Sequence, residues 1–296
     1  MKTLNQICKQ IVPPLSADLH KGQAGRIAII GGSAEYTGAP YFAGITALHL
    51  GADLVHVMCV PSAAQPIKSY SPDLMVHPIL CREKANDFGK WLDRLHSIVL
   101  GPGLGRDEET IEIASEWINL AKLKKIPIII DADGLHIITE DPGLIRGYPD
   151  AILTPNKVEF ERLYHSLTGK YCEKPISQKN MLTISNKLKC SIVCKGPTDM
   201  ICTGDNVIEC AEVGSFRRCG GQGDILSGAM GIFSYWARSN ASKLDDHPYQ
   251  SVAGFAACSV ARRAGAHAYA SKGRSMITSS IIPHLPKAFD DVFIGK

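Results

Sequence analysis

The chain reads as an α/β protein, a three-layer sandwich in which a mostly parallel central sheet is flanked by helices on both faces. Two observations predict it. Short apolar runs recur along the 296 residues and alternate with helical segments; runs apolar at every position are strands buried on both faces, as in a parallel sheet covered by helices. The runs also end in glycine or acidic turns, and open α/β sheets bind ligands at the carboxyl ends of their strands.

The first run, Arg26-Ile27-Ala28-Ile29-Ile30, leads into Gly31-Gly32-Ser33. A helix of small residues over about Ala39 to Gly51 precedes Leu54-Val55-His56-Val57-Met58. Ser97-Ile98-Val99-Leu100 ends in Gly101-Pro102-Gly103, and Ile126-Pro127-Ile128-Ile129-Ile130 in Asp131-Ala132-Asp133. Ala151-Ile152-Leu153-Thr154 ends in Pro155-Asn156, where Asn156 suits the N-cap of a helix opened by Glu159 and Phe160. Ser191-Ile192-Val193-Cys194 ends in Lys195-Gly196. The pattern then changes: Asp199 to Thr203, the turn Gly204-Asp205-Asn206 and Val207 to Cys210 predict a β-hairpin. Two long helices follow, from about Asp224 to Ala237 and from about Tyr249 to Ala270, with a polar break from Arg238 to Pro248. No repeat, low-complexity segment or linker interrupts the chain, so residues 1–296 are expected to form a single domain.

Hydrophobic residues make up 45% and charged residues 21%, the balance of a soluble globular protein with a sizeable core. A net charge of +3, without like-charge runs, argues against nucleic acid or an anionic membrane surface as partner. No window approaches the apolar length that spans a bilayer. The ten cysteines form no Cys-x-x-Cys and several sit in apolar runs, so buried thiols in a reducing compartment are expected rather than disulfides or zinc. Met1 to Leu15 lacks the apolar stretch of a secretory signal. Lys2 and Lys9, with no acid before Asp18, faintly echo a mitochondrial presequence, but arginine is missing there. Cytoplasmic residence is expected, with mitochondrial targeting the lesser alternative.

The densest chemical signal is Arg218-Cys219-Gly220-Gly221-Gln222-Gly223-Asp224, running into the apolar helical stretch Ile225 to Met230. Three glycines before a helix form a loop whose N–H groups converge on an anion at the positive end of the helix. Asp224 beside such a hole would repel phosphate unless it had another task, and removing a proton from an attacking hydroxyl is that task. The loop by itself is equally compatible with an ordinary helix start carrying a first-turn acid. Other phosphate signatures are absent: Gly169-Lys170 is followed by Tyr171 instead of Ser or Thr, and Gly101-Pro102-Gly103-Leu104-Gly105 has the wrong spacing for a dinucleotide fingerprint.

The strand end Lys195-Gly196-Pro197-Thr198-Asp199, a hairpin and then a Gly-Gly-x-Gly-Asp helix resemble the C-terminal half of ribokinase-like kinases. Gly31-Gly32-Ser33 with Tyr36-Thr37-Gly38-Ala39-Pro40, Gly101 to Asp107, Asp131-Ala132-Asp133-Gly134-Leu135, Thr154-Pro155-Asn156-x-x-Glu159-Phe160 and Arg218 to Asp224 narrow the resemblance. In this order they look like the ATP-dependent NAD(P)H-hydrate dehydratases, metabolite-repair enzymes on the ribokinase-like fold, from about His20 to the last helix.

The resemblance implies repair of the (S) hydrate of NADH or NADPH, in which water has added at C6 of the nicotinamide ring, with ATP consumed to ADP and phosphate. Asp224 would deprotonate the C6 hydroxyl as it attacks the γ-phosphate, and the amides of Gly220 to Gly223 would hold the phosphoryl charge. ATP is expected along Lys195, Gly196, Pro197, Thr198 and Asp199 and along Gly214, Ser215, Phe216, Arg217, Arg218, Cys219, Gly220, Gly221, Gln222 and Gly223. The substrate is expected on Gly105, on Asn156, Lys157, Val158, Glu159, Phe160, Glu161 and Arg162, on Asp224, and more weakly on Ala39. Mg2+ is implied with ATP, with no secure protein ligand, as is a functional link to an NAD(P)HX epimerase. Asn156-Lys157-Val158-Glu159 and Gln222, where ADP-preferring bacterial members differ, resemble the eukaryotic branch and favour ATP as donor.

Some roles stay open between chemistry and structure. Lys195 is a strand-end lysine or a phosphate ligand, with the ligand favoured; Asp131 and Asp133 are turn caps or organisers of substrate or magnesium. Arg217 and Arg218 are surface charges or phosphate clamps, and Cys219 is a packed small residue rather than a nucleophile. The small-residue stretch Ser251 to Ala270 suits helix packing within the core or between subunits, leaving a homo-oligomer open. Two other functions compete: a ribokinase-like kinase of a small alcohol or vitamin precursor, and a silent dinucleotide-binding protein.

Overall fold

The computed structural model describes residues 3–295; Lys2, part of the presequence-like pattern, lies outside them. The strands are β1 (Arg26–Ile30), β2 (Leu54–Met58), β3 (Met75–His77), β4 (Ser97–Leu100), β5 (Ile128–Ile130), β6 (Ala151–Leu153), β7 (Ser191–Cys194), β8 (Asp199–Thr203) and β9 (Asn206–Cys210). They form one sheet in the order β3-β2-β1-β4-β5-β6-β7-β8-β9. Every pair from β3 to β7 is parallel; β8 and β9 are antiparallel. Thr203 pairs with Asn206 across the two-residue turn Gly204-Asp205, which is the hairpin expected from the sequence.

The helices are α1 (Leu4–Cys8), α2 (Gly38–His49), α3 (Pro61–Tyr70), α4 (Gly89–Leu92), α5 (Glu108–Lys124), α6 (Asp133–Glu140), α7 (Lys157–Thr168), α8 (Gln178–Leu188), α9 (Gln222–Ser239), α10 (Tyr249–Lys272) and α11 (Leu285–Phe289). Alternate residues of each strand serve opposite faces. Ile27, Ile29, Val55, Val57, Val99, Ile129 and Val193 pack with Ile225, Met230, Phe233 and Val252 of α9 and α10. Ala28, Ile30, Met58, Ile98, Leu100, Ile128 and Ile130 pack with Phe88, Trp117 and Phe160. Each fully buried Ile contributes about 1.5–3 kcal/mol, so burial on both faces fixes the strands that carry the site.

Two details depart from the sequence reading. The edge strand β3 was not foreseen, since three residues are too few to show a period. The fifth strand starts at Ile128, because Pro127 has no N–H; only its carbonyl joins the ladder, accepting from Ile98 N–H at 2.9 Å. Ser251, Ala253, Gly254, Ala257 and Cys258 of α10 are buried, which places the small-residue stretch inside the core.

Candidate active site

The carboxyl ends of β5, β6 and β7 lie side by side, and the first residues beyond them form a charged cluster. Lys195, just past β7, is bridged to Asn156 just past β6, with its N–H bonded to Pro155 O at 2.8 Å. From there its side chain crosses β6, and Nζ lies 2.6 Å from Asp131 Oδ1 and 4.0 Å from Glu159 Oε2. Asn156 caps α7 as expected: its Oδ1 accepts from Val158 and Glu159 N–H, and Glu159 Oε2 accepts from Asn156 N–H at 2.7 Å. Glu159 is therefore held both by the cap and beside the lysine.

Asp224 enters from the opposite side on the first turn of α9. Gly221, the N-cap, has φ +92° and no side-chain cap. A Cβ there would come within 2.9 Å of Thr278, whose hydroxyl donates to Gly220 O. Only glycine serves at that spot, and the first-turn amides are left for a ligand at the positive helix end. Burial and the Asp131 carboxylate push Asp224 up to about 8, against the pull of Lys195. Burial works to lower the Lys195 ammonium, but Asp131 and Glu159 together outweigh it and hold it above its ordinary value. Glu159 is likewise raised by burial, opposed by Lys195. A carboxylate titrating near neutrality in a cavity wall is suited to general-base work.

Two cavities meet at this wall. Lys195, Gly196, Pro197, Asp199, Gly214, Ser215, Arg218, Cys219, Gln222 and Gly223 line one of about 650 Å³. Asp224, Gly105 and Ala39 line another of about 1020 Å³. Gly223 thus faces one cavity and Asp224, the next residue, the other. A third groove of about 740 Å³ holds Glu159 and Arg162 and shares Arg106, Ala132 and Asp133 with the second.

Other expected site residues fall elsewhere. Phe160 is wholly buried in the core, so its ring cannot meet a substrate; helical periodicity turns it inward from Glu159. Glu161 pairs with Lys174 at 3.5 Å. Lys157 and Val158 are exposed on the first turn of α7 and line none of the three cavities, and Asn156 lines the 650 Å³ cavity instead of the 1020 Å³ one. Phe216 is 83% exposed and meets Tyr269 edge-on. Thr198, Arg217, Gly220 and Gly221 belong to the loops around the 650 Å³ cavity without lining it. Gln222 folds its amide back onto Arg217 O at 2.9 Å, and Arg218 donates to Ser215 O at 3.0 Å, so both brace the loop.

The two open acids are separated. Asp131 serves Lys195, while Asp133 accepts from Gly105 N–H at 3.1 Å and pairs with Arg106 at 3.0 Å. Between them Ala132 has φ +47° and ψ −121°, a strained conformation for a residue with a Cβ. Gly101 (φ +122°) lies so close that a Cβ would stand 1.8 Å from Asp131 O. Among the described residues, no group of three or more His, Cys, Asp or Glu side chains could hold a metal.

Two residues escaped the sequence reading. Arg262 of α10 donates to Asp199 Oδ2 at 2.6 Å, Gly196 O at 2.7 Å and Pro197 O at 2.9 Å, clasping the loop of the 650 Å³ cavity. A pair of arginines inside an otherwise small-residue helix was the available signal. Ser33 lines the 1020 Å³ cavity with a buried hydroxyl that has no partner; its place after a strand and two glycines was the signal.

A family model described as NAD(P)H-hydrate dehydratase matches residues 27–287. The ATP-dependent (S)-NAD(P)H-hydrate dehydratase of Homo sapiens is 45% identical over 296 residues, covering 99% of this chain and 85% of the human one. Among solved structures, a ribokinase-like superfamily protein from Enterococcus faecalis superposes with a TM-score of 0.75 at 21% identity, over 97% of this chain and 94% of its own. The ADP/ATP-dependent NAD(P)H-hydrate dehydratase from Bacillus subtilis, co-crystallized with ATP/Mg2+, has a TM-score of 0.69 at 22% identity, over 96% and 97%. The fold is ribokinase-like, as the strand-hairpin-helix order had suggested.

Proposed function

The chain belongs to the NAD(P)H-hydrate dehydratase family, and from that premise we propose that it uses ATP to return the (S) hydrates of NADH and NADPH to the reduced dinucleotides. The observation that carries the reading is the position of Asp224 between two cavities, with the phosphate-type loop on one side and its carboxylate on the other.

The chemistry follows from that placement. ATP occupies the cavity of Lys195 and Gly223, and the hydrated ring the cavity of Asp224. Asp224 takes the proton of the C6 hydroxyl as its oxygen attacks the γ-phosphorus, and the bond to the bridging oxygen breaks to release ADP. The C6–O bond then breaks with its electron pair leaving on phosphate, driven by the ring-nitrogen lone pair. Loss of the C5 proton restores the double bond. Amides at the start of α9 stabilise the phosphoryl charge without reorganising.

Mg2+ is proposed to arrive with ATP. The described residues offer no dedicated cage; an ion brought by ATP would neutralise charge on the transferred group. The substrate's remaining half is proposed to run past Arg106 and Asp133 towards Glu159 and Arg162. An epimerase that converts the (R) hydrate would supply the (S) form. Cytoplasmic residence is proposed, supported by ten free cysteines of which eight are buried.

Incubating the protein with ATP, magnesium and chemically hydrated NADH tests the reading. Recovery of the near-ultraviolet absorbance of reduced nicotinamide with equimolar ADP and phosphate is expected. A stable phosphate ester without that absorbance would instead identify a small-alcohol kinase and overturn the dehydratase reading.

A further inference from the structure

We propose that Asp131 is a positioning residue for this phosphoryl transfer: it holds Lys195 at the rim of the Gly-rich loop and keeps that ammonium from pairing with the Asp224 base. The proposal rests on the reaction assigned above.

Asp131 is 2% exposed and lines neither cavity beside Asp224, so it is not placed to touch either reactant. A buried carboxylate needs a partner, and an ion pair in such a place is poor evidence of stability, since apolar residues of similar volume often do as well. Its partner is Lys195 Nζ at 2.6 Å. A Cβ on Gly223 would lie 3.5 Å from that Nζ and 3.8 Å from Asp131 Oδ2, so the pair sits directly against the loop that precedes Asp224.

The charges around Asp224 make the placement matter. Asp131 faces it from β5 and Lys195 from β7, with Glu159 of α7 behind the lysine. Arg106 and Asp133 line the same cavity but neutralise each other at 3.0 Å, and the exposed Glu35, Asp107 and Glu109 stand on its outer wall. Lys195 is therefore the cation for which Asp131 and Asp224 compete, and whichever carboxylate it joins loses basicity. Asp131 wins it by geometry. Its backbone is clamped between Gly101 and the strained Ala132, which aims the carboxylate at β7 before any ligand arrives.

The test is the pH dependence of kcat/KM for dehydration in the two variants that remove either end of the pair. Asp131→Asn frees Lys195 and deletes a neighbouring negative charge, so the acid limb is expected to move down by roughly one unit or more, with a lower plateau because the base is weaker. Lys195→Gln deletes the opposing charge, and its limb is expected to move up. A purely structural pair would lower both rates and leave both limbs in place. Limbs that stay put, or move in the same direction, overturn the proposal. Should Asp131→Asn not fold, Asp131→Ser removes the same charge and is read by the same criterion. Wild-type protein that dehydrates normally while the limbs stay fixed defeats this proposal alone; wild-type protein without dehydration defeats the functional reading and this proposal with it.

Discussion

Arg262 and Asp199 lie 63 residues apart and meet at 2.6 Å, the guanidinium also holding the carbonyls of Gly196 and Pro197. One side chain on α10 thereby holds the Lys195–Asp199 turn beside the 650 Å³ cavity. A lysine cannot present that planar fork. Arg262→Lys is expected to raise the KM for ATP about tenfold with kcat nearly unchanged, and to destabilise the fold by about 1–3 kcal/mol. Steady-state kinetics and thermal melting check both. An unchanged KM would mean that the turn holds its shape without the arginine.

Asp224→Asn keeps the shape of the site and removes the proposed base. Turnover is expected to fall by about 10²–10⁴ while ATP still binds, measured by calorimetry alongside the dehydration rate. The proposed base must be deprotonated, so kcat/KM should rise with pH, be half-maximal near 8, the value to which burial and Asp131 bring Asp224, and level off only about a unit above it. A profile already flat from pH 6 would contradict that protonation state.

The same carboxylate weakens the fold at alkaline pH. Its folded value is raised from 3.8 to about 8, so the protonated form is favoured in the native state. The stability this confers is present below about pH 4 and disappears as pH climbs through 8. Asp224→Asn should therefore be more stable than wild type at pH 8.5, by several kcal/mol at most, and the gap should close as pH falls towards 4. Melting curves across that range decide it, and a gap independent of pH would show that the carboxylate is not desolvated.

Most strand ends were legible because they are runs of apolar residues stopped within a few residues by glycine, proline or an acid, and a sheet buried on both faces leaves that pattern undisguised. The Gly-rich loop was legible because its glycines stand together before a helix, and at Gly221, where Thr278 closes on it, glycine answers a steric demand. The arginine pair of α10 stands out in the sequence, but the partner of Arg262 was hidden, because it reaches Asp199 only when α10 folds back over the hairpin. Asp131 and Asp133 look alike in sequence, two residues apart, yet serve opposite sides of the site. What separates them is the positive φ of Ala132, which alanine does not announce as glycine would. Phe160 turns into the core although the motif includes it, because a motif names a stretch of chain, whereas a helix gives each neighbour a different face.

Ala132 supplies the last test. Its φ of +47° is a conformation that costs a residue with a Cβ about 1–3 kcal/mol. Ala132→Gly relieves this strain but loosens the unfolded chain, which returns about 0.4–1 kcal/mol. The net expectation is a protein about 1 kcal/mol more stable, a rise in melting temperature of roughly 2 °C for a domain of this size. The same change frees the turn that aims Asp131 at Lys195 and Asp133 at Gly105 and Arg106, so kcat should fall severalfold in the more stable protein. Strain kept for function predicts opposite signs for stability and activity. A variant that gains stability at full activity would show that glycine aims the two acids as well as alanine does.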